Sequence, residues 1–191
     1  MINRVKYTNS MGLFLESLLL YLLGSIPFGP IICYASNLKP PNTYGSQNIG
    51  ATNVARQNAL AGVLTFIFDF LKSFIPLLFI AKNPITIFMP LLGHCYSPFC
   101  KFKGGKGVAT GLGILAACYP NYALFGFSIW VISYLSTQTP GLSSIATCSF
   151  LIITGLWYSE IMVSLCALFI LTRHKDNFQK IQVSEIWNPL F

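Results

Sequence analysis

The sequence predicts an all-α integral membrane protein with seven transmembrane helices, several of them short or broken around a polar site that faces the cytoplasm. Three observations predict it. Hydrophobic residues make up 54% of the chain and charged residues 9%, with a mean hydropathy of +0.63, which is too little charge to solvate an ordinary globular surface. The apolar residues gather into segments that reach, whole or as broken halves, toward the ~30 Å of a bilayer core at ~1.5 Å per residue. The remaining polar residues sit in a few patterned connections. The 191 residues read as a single membrane domain, 1–191.

In chain order, Arg4 and Lys6 precede the first apolar segment as they would in a signal peptide. That segment, about Met11 to Tyr34, runs too long and lacks a small-residue cleavage site, so it is expected to be a retained first span. Within it, Gly24-Ser25-Ile26-Pro27-Phe28-Gly29 predicts a kink, because proline removes a backbone donor, and central packing, because glycine permits close helix approach. The connection Ala35 to Ala59 is too polar for lipid. If its second half is helical, Asn48, Thr52 and Arg56 share one face at i, i+4 and i+8; a solvated surface turn is the alternative.

The second span, about Leu60 to Ala81, encloses Asp69 and Lys72 at i, i+3, close enough to pair. Ionisable groups inside a span commonly mark function, but a self-neutralising pair that holds helices together is the favoured reading here. After Lys82-Asn83-Pro84 a short segment, Ile85 to Phe99, carries His94, which reads first as a hydrogen-bonded packing residue. The segments Val108 to Cys118 and Tyr122 to Leu135, divided by Pro120-Asn121, are each shorter than a full span, as helices lining an internal cavity can be. Beyond the polar turn Ser136 to Gly141 come Leu142 to Tyr158 and Ile161 to Leu171, then the charged tail from Arg173.

Between the third and fourth segments lies Lys101-Phe102-Lys103-Gly104-Gly105-Lys106-Gly107. Its ammonium groups, its glycines and the start of the helix that follows would suit an anion such as phosphate. A basic loop that merely orients the protein is the competing reading. Alternating sides place Lys39, Arg56, Lys101, Lys103, Lys106, Arg173, Lys175 and Lys180 together and leave Arg4, Lys6 and Lys82 opposite, so the first side is expected in the cytoplasm. The formal net charge of +7 is read as topology and affinity for anionic ligands or lipid headgroups, not nucleic acid, since no basic stripe with interleaved aromatics is present. Of six cysteines, Cys33, Cys118, Cys148 and Cys166 lie in apolar runs as small hydrophobes. His94, Cys95 and Cys100 lack the second half of a zinc pattern, so no metal is expected.

The segments Gly24 to Gly29, Gly45-Ser46 with Asn48 to Arg56, Gly93-His94 with Pro98-Phe99, Phe102 to Thr110, and Arg173-His174 with Asn177 together resemble the bacterial acyl-phosphate:glycerol-3-phosphate acyltransferase family over nearly the whole chain. The resemblance implies a seven-helix enzyme of the bacterial inner membrane, active on the cytoplasmic side. It would move a fatty acyl group from acyl phosphate to glycerol 3-phosphate, giving 1-acyl-glycerol 3-phosphate and inorganic phosphate for phospholipid synthesis. It implies catalytic roles for Ser46, Arg56, Lys106, His174 and Asn177. It further implies phosphate-binding roles for Lys103, Gly104, Gly105, Lys106, Gly107, Arg56, Ser144 and Arg173. Gln47 stands where the family has glycine, Gln138 where an arginine is expected and Gly141 where a serine is expected. Glu185 sits one residue short of the expected spacing from Asn177.

The residues fit that chemistry. Two phosphate-bearing substrates need many donors, which Arg56, Lys103, Lys106 and Arg173 offer. An acyl phosphate is already activated, so positioning and charge stabilisation would suffice for direct transfer, with His174 as base or orienting group. No Ser-His-Asp pattern for an acyl-enzyme is evident, and neither metal nor organic cofactor is expected. The expected partners are acyl phosphate, glycerol 3-phosphate and membrane lipid. A small anion transporter and a catalytically degenerate membrane subunit are the rival readings, the first weakened by the absence of repeated spans.

Overall fold

The computed structural model describes residues 10–80 and 82–175. Nine helices form within them: α1 (Ser10–Ser25), α2 (Phe28–Ala35), α3 (Ala51–Ala55), α4 (Ala59–Phe79), α5 (Pro84–Cys95), α6 (Val108–Cys118), α7 (Pro120–Thr137), α8 (Pro140–Trp157) and α9 (Ile161–Thr172). No strand is present among the described residues. Apolar surface is turned outward and polar groups inward: Phe79 and Trp157 are 84% and 81% exposed, while Thr65, Ser73 and Thr110 are fully buried. Lipid dissolves such an exterior, and the buried hydroxyls find carbonyls inside. The protein is a multi-pass membrane protein.

The first apolar segment is interrupted as its proline requires, with α1 ending at Ser25 and α2 starting at Phe28. Three spans are long and apolar enough to cross unaided, Ser10–Ala35, Ala59–Phe79 and Pro140–Trp157, whereas α6 and α9 are shorter apolar helices. Local signals account for several ends. The Asn58 side chain accepts from Ala61 N at the start of α4, and Asn83 with Thr86 closes a reciprocal capping box at the start of α5, where Pro84 needs no donor. The polar stripe does not form as a helix face, because α3 begins only at Ala51 and leaves Asn48 before it.

The chain divides into two compact units at Ala123 and Leu124. In the first, α1 packs along α5 and α4 along α6. A Cβ on Gly24 would strike the Pro90 backbone, one on Gly93 the Tyr21 carbonyl, and one on Gly113 the Phe70 carbonyl, so the paired helices touch main chain to main chain. Ser97 Oγ donates to Ser25 O at 2.6 Å and Ser73 Oγ to Thr110 O at 2.8 Å, pinning both pairs. In the second unit α8 packs on α9, and Ser164 Oγ donates to Ile152 O at 3.1 Å.

Candidate functional site

Two loops of the first unit carry three of the sequence-derived cations, Arg56, Lys103 and Lys106. The first, from Pro40 to Arg56, is organised by Asn53, which is 2% exposed. Its two side-chain N–H groups are shared among Pro41 O, Tyr44 O and Asn48 O at 2.8, 2.9 and 2.9 Å, and its Oδ1 accepts from Ser46 N at 3.0 Å. One amide therefore spans the loop and fixes its curvature. Ser46 and Arg56 stay exposed on its rim, with an Arg56 guanidinium nitrogen 3.3 Å from where a Gly45 Cβ would stand. Asn53 is the residue that sequence reasoning passed over. Only its place within a dense amide and hydroxyl run hinted at it.

The second loop runs from Ser97 to Gly107. A single 3-10 turn, Pro98–Cys100, leads into Lys101 and Phe102, both left-handed at φ 52° and 59° and both exposed. Gly104 N then donates to Cys95 O at 3.1 Å and Gly105 N to His94 O at 3.2 Å. These two glycines thus spend their N–H groups on the end of α5 and do not offer them to a ligand. Their lack of a side chain serves close approach, since a Cβ on Gly104 would strike the His94 carbonyl and one on Gly105 the His94 ring. Gly107 holds φ 91° as the residue before α6, a conformation closed to most L-residues. Lys103 is exposed and Lys106 half-buried just before that helix, where first-turn N–H groups and the helix dipole favour an anion.

Both loops are seated on the break between α1 and α2. Gly29 lies against the Ile49 carbonyl, and a depression beside it is lined by Ile26, Phe28, Ile49, Lys72, His94 and Ser97. Asp69 and Lys72 pair at 2.6 Å, as their spacing predicts, and Lys72 also reaches Ile26 O at 2.9 Å and His94 Nδ1 at 2.9 Å. His94 is a hydrogen-bonded packing residue, here with an ionic partner.

Ser144, Arg173 and His174 belong to the second unit. Ser144 is buried; its hydroxyl donates to Pro140 O at 2.9 Å and accepts from Trp130 Nε1 at 3.1 Å, so its proton is already committed within α8. His174, 2% exposed, has Nδ1 2.9 Å from Ile170 O. A carbonyl can only accept, so Nδ1 bears the hydrogen and a neutral ring presents its lone pair on Nε2, the form a base needs. Asn177 and Glu185 lie outside the described residues.

Among the described residues no group of three or more His, Cys, Asp or Glu side chains is arranged for a metal. Burial pushes the Cys100 thiol above its ordinary range, away from the thiolate a metal would need.

A family model described as glycerol-3-phosphate acyltransferase matches residues 14–183. The glycerol-3-phosphate acyltransferase of Aquifex aeolicus is 40% identical over 175 residues, covering 84% of this chain and 91% of that one. That of Thermosipho melanesiensis is 37% identical over 171 residues, covering 84% of each. Crystal structures of PlsY (YgiH), an integral membrane glycerol 3-phosphate acyltransferase, superpose with a TM-score of 0.78 at 35% identity in the lysophosphatidic acid form. The glycerol 3-phosphate form gives 0.75 at 36%, and each covers 90% of this chain and 92% of that one.

Proposed function

Because this chain belongs to the glycerol-3-phosphate acyltransferase family, and is an acyltransferase of lipid biosynthesis, we propose that it takes its fatty acyl group from acyl phosphate and delivers it to glycerol 3-phosphate. The products are 1-acyl-glycerol 3-phosphate and inorganic phosphate. The enzyme works from the cytoplasmic side of a bacterial inner membrane, with seven crossings in one domain, and the family match at residues 14–183 supports treating both units as parts of that domain. The observation that carries this reading is the seating of two loops, one bearing Ser46 and Arg56, the other Lys103 and Lys106, on the same break at Ile26 to Gly29.

Two phosphates call for several cations. Arg56 offers a forked guanidinium and Lys103 and Lys106 offer point charges, while the start of α6 adds its dipole. Gly104 and Gly105 support the loop from behind. The glycerol hydroxyl attacks the acyl carbonyl carbon, the C–O bond to phosphate breaks, and the hydroxyl proton passes to a base. His174 in its Nδ1–H form fits the base, or the phosphate that leaves accepts the proton itself. Ser46 and Asn177 orient the acceptor, Arg173 adds a phosphate cation, and Ser144 donates to phosphate only by giving up its bond to Pro140 O.

Purified protein mixed with acyl phosphate and labelled glycerol 3-phosphate is expected to yield the lyso product and phosphate in equal amounts. Turnover with acyl-coenzyme A equal to or faster than with acyl phosphate would overturn the donor assignment. No lyso product with either donor would favour the degenerate-subunit reading.

A further inference from the structure

Asp69, Lys72 and His94 form a network in the interior of the first unit, 3%, 7% and 5% exposed. An ammonium group has three hydrogens to donate and no lone pair. Lys72 directs them at Asp69 Oδ1, Ile26 O and His94 Nδ1, at 2.6, 2.9 and 2.9 Å. Since Nζ can only donate, Nδ1 accepts and the neutral imidazole carries its hydrogen on Nε2. The network so selects both the tautomer and the orientation of the ring.

The Nε2 edge is the one turned to the lysine loop. A Cβ on Gly105 would collide with Nε2 and stand 3.0 Å from Cε1. The same histidine accepts the Gly105 N–H on its carbonyl at 3.2 Å, and Cys95 accepts that of Gly104 at 3.1 Å. Ring and main chain of one residue thus meet one glycine, immediately before Lys106. An aliphatic packing residue would need none of this: it would not require a buried ion pair behind it or a bare backbone in front of it.

We infer that His94 is a positioning residue for substrate phosphate: locked by Lys72, its ring and carbonyl seat Gly104 and Gly105 and thereby set where Lys106 stands. This rests on the reading that the lysine loop grips a phosphate. Lys72 ties the same ring to Ile26 O, so the seat also fixes the loop against the helix break on which the Ser46–Arg56 loop rests.

The test is steady-state kinetics on the full-length enzyme with glycerol 3-phosphate varied, alongside thermal unfolding of each variant in detergent. His94→Ala and Gly105→Ala are each expected to raise KM about tenfold, equivalent to about 1.4 kcal/mol, with a smaller change in kcat. The double variant should be no worse than the weaker single, because both remove one contact. His94→Gln, which fills part of the ring's space beside Gly105 and keeps an oxygen able to accept from Lys72, should recover part of the loss. Effects that multiply in the double variant, or lowered unfolding temperatures with wild-type KM, would overturn the inference. Should Gly105→Ala not insert, the two His94 variants decide: equal KM values for alanine and glutamine overturn it. Lys106→Ala separates the layers. Wild-type kinetics in that variant remove the phosphate loop and this inference with it, whereas an impaired Lys106→Ala beside unaffected His94 variants removes only the inference.

Discussion

Gln47 holds φ at 57° on an exposed loop, a left-handed conformation that costs an L-residue ~1–2 kcal/mol. Gln47→Gly is expected to raise stability by about 0.5–1 kcal/mol, the strain relieved less the extra freedom glycine gives the unfolded chain; thermal unfolding in detergent measures it. Loss of stability would mean that the glutamine side chain holds the turn. At the cations the expectation is larger. Arg56→Ala and Lys106→Ala should each lower kcat/KM by one to two orders of magnitude, about 1.5–3 kcal/mol for a charge-assisted phosphate contact, with insertion intact by size-exclusion profile. Unchanged kinetics in both would refute the two-loop site. Gln138, at φ 51°, donates from its amide to Leu135 O at 3.1 Å where α7 ends. Gln138→Arg is expected to lower KM for a phosphate substrate up to tenfold, about 1.4 kcal/mol; an unchanged or higher value would assign that charge to Arg173 or Lys175. Cations beside glycines were legible in the sequence because both belong to one local run. The His94 to Lys72 contact was not: the two residues are separated by 22 positions on different helices, and no periodicity connects them. For the same reason the Gly104 and Gly105 N–H groups read as ligand donors, when the end of α5 returns to take them.

The helices themselves were legible nearly to their ends. Asn83-Pro84, Pro120 and Pro140 punctuate the chain where α5, α7 and α8 start, and α6 occupies the apolar run Val108–Cys118. The short α3 was harder, since its Asn53 satisfies loop carbonyls and competes with a longer helix. Within α4 the pair Asp69 and Lys72 joins that helix to the α1 break and to α5. Lys72→Met is therefore expected to destabilise the protein by about 3–5 kcal/mol, because it strands a buried carboxylate. The double replacement Asp69→Leu with Lys72→Met should regain most of that loss, since no charge is left unpaired. Unfolding in a graded denaturing detergent reads both, and a double variant as unstable as the single would show that the pair does more than neutralise itself.

On the scale of the whole molecule the first expectation is orientation. In a background with the native cysteines replaced, membrane-impermeant thiol reagents added from outside intact cells should label cysteines placed at Lys82 and Ser159 and spare those at Ser46 and Lys175. The opposite pattern would invert the protein in its membrane. The backbone contacts of the first unit bear on motion. A carrier that works by alternating access needs a sliding plane, a layer of side chains across which one group of helices shears past another. Gly24 on Pro90, Gly93 on Tyr21 and Gly113 on Phe70 leave no such layer between α1 and α5 or between α4 and α6. Any slip there drives main chain into main chain. The described part of the first unit is thus built as an anvil: the substrate must come to it, and it does not swing to meet it.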